Sequence, residues 1–392
     1  MDSARRNVFL LAACQALLLT NAVTLIAISS LAGYALAENK AFATLPATTY
    51  VLGGWLSTYP ASLWMKRVGR RSGFLTGGAF GLVGSVLATL AMGVSSFTLL
   101  CFATFLLGTY NAFGQYYRFA AADAAPPDFK AKAISLVLAG GLVGGVVGPE
   151  VSKFTLDLAS TRFLASYASL FGFCLLAMAI VSFIVVPPPK DEGAQQGARP
   201  LAEIVRQPVF IVAALCAGLG YGVMTLLMTA TPLAMGFCGY PYAAAAGVIA
   251  AHVVAMFAPS FFTGSLITRF GALYVIIWGV AIELACVLLA VSSQSVSNFW
   301  WALVLLGLGW NFTYVGGTAL LTEAYRPAEK AKTQGANEIV IFGVQALASL
   351  SSGVLVNATG WTTLNYFAVP LLALAGGSAL WLMYRRRAAA PA

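Results

Sequence analysis

Two ten-residue stretches, DAAPPDFKAK at 123–132 and EAYRPAEKAK at 323–332, lie 200 positions apart and share Ala, Pro, a leading acid and Lys-Ala-Lys. The chain around them is 60% hydrophobic and 9% charged, far short of the roughly 25% charge that covers a soluble fold. Apolar runs of twenty or more residues recur from end to end. Each is long enough to cross a hydrocarbon core of about 30 Å as a helix. A barrel would need short alternating segments instead. The repeated decapeptide is therefore a junction in a duplicated, all-α, multi-pass membrane protein whose first partner is the lipid bilayer.

Helices are expected near 8–33, 42–65, 73–94, 97–118, 133–153 and 163–186, then near 208–237, 242–267, 272–292, 298–320, 335–357 and 362–384. The apolar run at 7–33 is too long for a signal-peptide core and reads as a retained span. PPPKDEGAQQGARP at 187–200 is the one long polar break and reads as a linker. The expected division is an N-terminal six-helix bundle at 1–187, a cytoplasmic linker at 188–206 and a C-terminal six-helix bundle at 207–392.

With the N-terminus inside, nineteen Lys and Arg fall on the cytoplasmic side and three (Lys40, Lys153 and Arg162) outside. Both termini are thus expected in the cytoplasm. The net charge of +9 is an orientation signal, so no nucleic-acid partner is expected. The six cysteines lie in or beside apolar segments without disulfide or zinc spacing. Most read as small buried hydrophobes.

A second duplicated element is SLWMKRVGRR at 62–71, echoed by GSLITRFG at 264–271 through a shared Arg-x-Gly. Two parallel six-helix repeats with a substrate path between them are a transporter plan. Together with GGLVGGVVGPE at 140–150, these loops resemble the major facilitator superfamily over nearly the whole chain. The loop departs from the family pattern, with Ser62 and Lys66 where Gly and Asp are usual, which questions the usual cytoplasmic latch. The glycines at 140–148 suit close helix packing.

GVMTLLMTATPLAMGFCGYPYAAAAGVIAAHVVAMF at 222–257 holds the one histidine, His252, and four of the nine methionines. Met224 and Met228 share one face of the seventh helix, and His252 and Met256 one face of the eighth. Counted from the intervening turn, the two pairs stand at matching depths of roughly 15 and 21 Å. Thioether ligands select Cu(I) over zinc, magnesium or calcium, and a mid-span histidine is a functional candidate. Methionine at helical spacing also serves as packing.

The double motif resembles bacterial copper importers of the CcoA type. That resemblance implies Met224, Met228, His252 and Met256 as copper ligands and Cu(I) as cargo rather than resident cofactor. It also implies an inner-membrane importer working by alternating access and supplying cbb-type cytochrome oxidase assembly. Cytoplasmic copper-handling proteins become partners, and Cys216 and Cys238 accessory thiols. A monomer is expected.

Among the other polar groups, Arg118, Asp123 and Glu323 lie near cytoplasmic ends and suit gating ion pairs. Glu283, in mid-helix nine, suits either proton coupling or neutral packing. No nucleophile–base pair, nucleotide loop or carboxylate dyad suggests an enzyme. Two rivals stand beside copper import. One is a transporter of a small organic solute, a riboflavin-like importer or drug exporter with an aromatic-lined cavity. The other is a copper sensor or assembly partner.

Overall fold

The computed structural model describes residues 3–124, 126, 130–185, 199–326 and 329–389. They are helical with no strand among them, as lipid demands of backbone groups that must bond within their own segment. The first half holds α1 (Ser3–Leu36), α2 (Leu45–Val68), α3 (Arg70–Gly93), α4 (Phe97–Gly114), α5 (Tyr117–Ala124), α6 (Lys130–Thr155) and α7 (Leu164–Val181). After the short α8 (Leu201–Val205) come α9 (Pro208–Phe237), α10 (Tyr242–Phe257), α11 (Ser260–Phe270), α12 (Ala272–Ser292), α13 (Val296–Leu321) and α14 (Lys330–Ala389).

Each half therefore supplies six rods among the described residues. In the first, α5 continues α4 after a turn. In the second, α10 and α11 form one rod bent by 40°, where Ala258 and Pro259 interrupt an expected single helix. The last two rods are the arms of α14, divided at Gly360, whose φ is +79°. Gly69 (φ +85°) and Gly271 (φ +90°) end α2 and α11 in the same conformation. The repeated Arg-x-Gly thus carries its glycine where a left-handed residue is needed.

The chain forms two compact units, Met1–Asp191 with Pro241–Ala250, and Glu192–Tyr240 with Ala251–Ala392. Of the expected linker at 188–206, residues 188–198 lie outside the described residues. In the first unit α6 lies along α1. A Cβ at Gly144 would come 2.5 Å from the Ala16 carbonyl oxygen, and one at Gly148 would come 2.9 Å from Val23 Cβ. The seam is closed by Thr24 Oγ1, which donates to the Gly148 carbonyl at 3.0 Å.

In the second unit α9 lies along α13 and α14, and α12 along α13. Gly309 and Gly279 let α12 and α13 touch backbone to backbone. Where the chain enters this unit, Arg199 holds Glu329 through two side-chain bonds, Nε to Oε1 at 2.9 Å and a terminal nitrogen to Oε2 at 2.6 Å. The Arg199 and Arg326 amides also donate to this carboxylate. Those bonds, with the Arg199 side chain first, hold the Glu329 carboxyl well below its ordinary range.

Candidate functional site

The residues expected to bind metal lie in the second unit. Met224 and Met228 are buried in the middle of α9, and His252 and Met256 are buried in α10. His252 is fastened to α13: Nδ1 donates to the Leu303 carbonyl at 2.7 Å. A carbonyl can only accept, so the hydrogen sits on Nδ1; Nε2 has no partner among the described residues. Gly307 keeps the helices close, since a Cβ there would meet the His252 carbonyl oxygen at 2.6 Å. No group of three or more His, Cys, Asp or Glu side chains is gathered among the described residues in a way that could hold a metal.

Consecutive helices need not be packed neighbours: in the first unit α1 lies chiefly along α6 and α7 and only lightly along α2. The two thiols are also apart. Cys216 is buried against the Ala375 carbonyl and Ser378, whereas Cys238 is exposed and bonds Gln294 at 3.1 Å. Twenty-two residues of helix put roughly 33 Å between them.

Of the expected gating groups, Glu323 pairs with Arg386 of its own unit at 2.6 Å. Arg118 lies over the Phe119 ring at 4.9 Å. Asp123 is on α5, but its side chain lies outside the described part.

What the second unit does gather is a group of rings. Trp310 and Tyr314, one turn apart on α13, stack at 5.1 Å and 9°. Tyr221 of α9 meets both edge-on, at 5.2 and 5.4 Å. Phe257, the last residue of α10, meets Trp310 at 6.1 Å. Trp310 is buried, and the three rings about it are half-buried and present free surface.

Polar groups border these rings. Tyr221 lies beside Gln345 and Glu338 of α14, and neither Trp310 Nε1 nor Gln345 Oε1 has a hydrogen-bond partner among the described residues. Below the rings, Asn311 ties the bend of the eighth rod to α13. Its Nδ2 donates to the Met256 carbonyl at 2.8 Å and to Ser260 Oγ at 2.7 Å, while Thr263 donates to its Oδ1. A half-buried aromatic surface edged by unpartnered polar atoms suits a flat, polar, aromatic solute. The signal in sequence was W-x-x-x-Y at 310–314 and a tyrosine between two glycines at 220–222.

Such a fold and site define a membrane transporter. The Major Facilitator Superfamily model matches residues 8–271 and 245–392, and the chain belongs to that family. It is 40% identical, over 95% of its length and 94% of the relative's, to the riboflavin transporter RfnT of Brucella anthropi. It is also 31% identical to the uncharacterized MFS-type transporter YdeG of Bacillus subtilis, over 83% of this chain and 80% of that one. Among solved structures, a bacterial homolog of the human lysosomal transporter Spinster matches with a TM-score of 0.74 at 15% identity. It covers 97% of this chain and 96% of its own. The transporter FucP matches at 0.65 and 17%, covering 97% and 99%. These two carry the fold alone.

The relationship to a riboflavin transporter overturns the expectation of copper import. Copper as cargo, supply of cytochrome oxidase and copper-handling partners fall with it. The physical reason is that M-x-x-x-M and H-x-x-x-M are also what packing produces in apolar helices. The contacts that hold the histidine run to Leu303 and Gly307 of α13.

Proposed function

We propose that this protein takes up riboflavin, or a solute of the same flat and polyhydroxylated kind, across the bacterial inner membrane by alternating access. Both termini face the cytoplasm in this reading. The observation that carries it is the 40% identity over 95% of the chain to a riboflavin transporter. The ring cluster of Tyr221, Phe257, Trp310 and Tyr314 supports it. An isoalloxazine face stacked on such rings gains about 1–3 kcal/mol per stack, the range known for base–aromatic contacts. Gln345 and Glu338, beside Tyr221, supply hydrogen-bonding groups for ring edges and ribityl hydroxyls. Charge on the solute is not required, consistent with the lack of a Lys or Arg at the cluster's described contacts.

The test is uptake of radiolabelled riboflavin by a riboflavin-auxotrophic bacterium expressing this chain. Saturable uptake that supports growth is expected, with the oppositely facing arrangement excluded by labelling of cysteines placed at each terminus. Absence of uptake at full expression, while another small solute is moved, sinks the flavin reading and leaves the family intact.

A further inference from the structure

Glu283, on α12, has no solvent-accessible surface and stands directly behind the ring cluster. Its Oε1 lies 3.2 Å from Thr313 Oγ1, and its Oε2 has no partner among the described residues. Thr313 Oγ1 also lies 3.1 Å from the carbonyls of both Gly309 and Trp310. A hydroxyl has one hydrogen to donate and lone pairs to accept. Turned toward Oε1, Thr313 supports a carboxylate. Turned toward its own helix, it leaves Oγ1 to accept a hydrogen from a protonated carboxyl. One rotating hydroxyl thus serves both states of Glu283.

The surrounding backbone is cut back to admit this pair. A Cβ at Gly309 would come 2.6 Å from Glu283 Cγ, and one at Gly220 would press on the Thr313 hydroxyl with Glu283 Oε1 at 3.4 Å. The residues next to these points in the chain are Tyr221, Trp310 and Tyr314. The two glycines that make room for the Glu283–Thr313 pair, Gly220 of α9 and Gly309 of α13, therefore each adjoin a ring of the proposed flavin seat. Facing the carboxyl, α12 itself presents the thiol of Cys286. Further, α13 presents Thr313, α9 presents Gly220 with Tyr221 and its neighbour Glu338 beyond, and α14 meets α12 at Gly376 against Val280. No Lys or Arg is bonded to Glu283 among the described residues. An ionisable side chain within a membrane span is a functional candidate by default.

We propose that Glu283 binds a proton whose uptake and release are linked to solute binding, so that the protein moves one proton with each solute. The inference rests on the uptake reading above. The carboxylate takes a proton from hydronium on one side, one O–H bond of the hydronium breaking as the carboxyl O–H forms. It returns that proton to water on the other side by the reverse exchange.

The experiment uses the full chain in liposomes with the membrane potential clamped and the outside made acidic. One proton per solute predicts about tenfold riboflavin accumulation per pH unit. Glu283→Gln should keep riboflavin exchange between the two sides and lose accumulation. A parallel infrared titration without solute follows the carbonyl stretch of a protonated carboxyl, expected in the wild type and absent from Glu283→Gln. Accumulation indifferent to the gradient, or equal in wild type and variant, overturns the proposal. A titrating band in a protein that moves no flavin overturns the uptake reading and leaves the proton site standing. Should Glu283→Gln not fold, Glu283→Asp must shift both the titration midpoint and the gradient dependence; an unmoved midpoint overturns the proposal.

Discussion

Along α1 and α6 of the first unit, Gly140, Gly144 and Gly148 bring the two backbones into contact. Two hundred residues on, the same positions hold Val340, Val344 and Ala348, and the glycines have moved to the facing helix. There a Cβ at Gly222 of α9 would meet Val344 Cγ1 at 2.7 Å. The consequence is large for what each seam can carry. In the first unit small residues line one helix and the seam is filled by backbone. In the second, Tyr221 rises between Gly220 and Gly222 and reaches Trp310 and Tyr314. The counterparts of these three residues are Asn21, Tyr110 and Gly114. Asn21 bonds the Leu170 carbonyl at 3.2 Å, and Tyr110 is sealed in the core. Duplication kept the helix plan, while side-chain volume was redistributed so that one half packs and the other gathers a cluster of rings.

The largest effect is expected where backbone is the neighbour. Gly144→Leu should cost about 3 kcal/mol or more through overpacking, because the Ala16 carbonyl and the Thr20 amide cannot yield as a side chain can. Size-exclusion profiles of detergent-purified protein should show little folded Gly144→Leu and a folded peak for Val344→Leu. Equal profiles would break the comparison.

Next in size is the seat itself. Trp310→Ala should lower the apparent affinity for riboflavin about tenfold or more, because it removes the buried ring that Tyr221, Phe257 and Tyr314 pack against, at a cost of about one stacking contact. Tyr110→Phe, at the equivalent place in the other half, should leave affinity within about twofold and change stability instead, through its buried hydroxyl. A matching loss of uptake in both would place solute contacts in the first unit too.

A smaller, pH-dependent difference is expected at Glu329, whose position in the first repeat is taken by Phe129. Its carboxyl is held below the usual range by Arg199. The stabilisation is then fully present above the ordinary glutamate value of 4.5 and is lost as pH falls below it. Thermal unfolding of Glu329→Gln should lie below the wild type at neutral pH, and the gap should close in acid. A gap constant with pH would assign the clamp to shape rather than charge.

Smallest of all should be Met228→Leu, a swap that conserves volume in an apolar helix interior and costs under about 1.5 kcal/mol. Riboflavin uptake should stay within about twofold of the wild type. A large loss would give the methionine face a direct part in solute binding.

How far the sequence reached differs between elements. The helix at 208–237 was legible to the residue, because Gln207-Pro208 and the Cys238-Gly239 turn mark its ends. The break at Pro259 is not legible in the sequence, since both sides of it are apolar and one continuous run satisfies the same length rule. Glu283 stands out in the sequence as an acid in an apolar helix, while its threonine partner lies 30 residues on. The Met and His pairs are legible as helix faces, whereas the Leu303 carbonyl that holds His252 lies 51 residues on and comes to it only in the fold.

A duplicated, multi-pass helical transporter is legible in the chain alone, because apolar length, charge placement and repeated loops are properties of one dimension. The tertiary structure decided which faces meet. His252 is joined to Leu303, and Tyr221 to Trp310 and Tyr314. Within lipid there is no hydrophobic force to favour one helix pair over another, so close approach at small residues and a few buried hydrogen bonds choose the neighbours. Those choices appear only when the helices are set side by side.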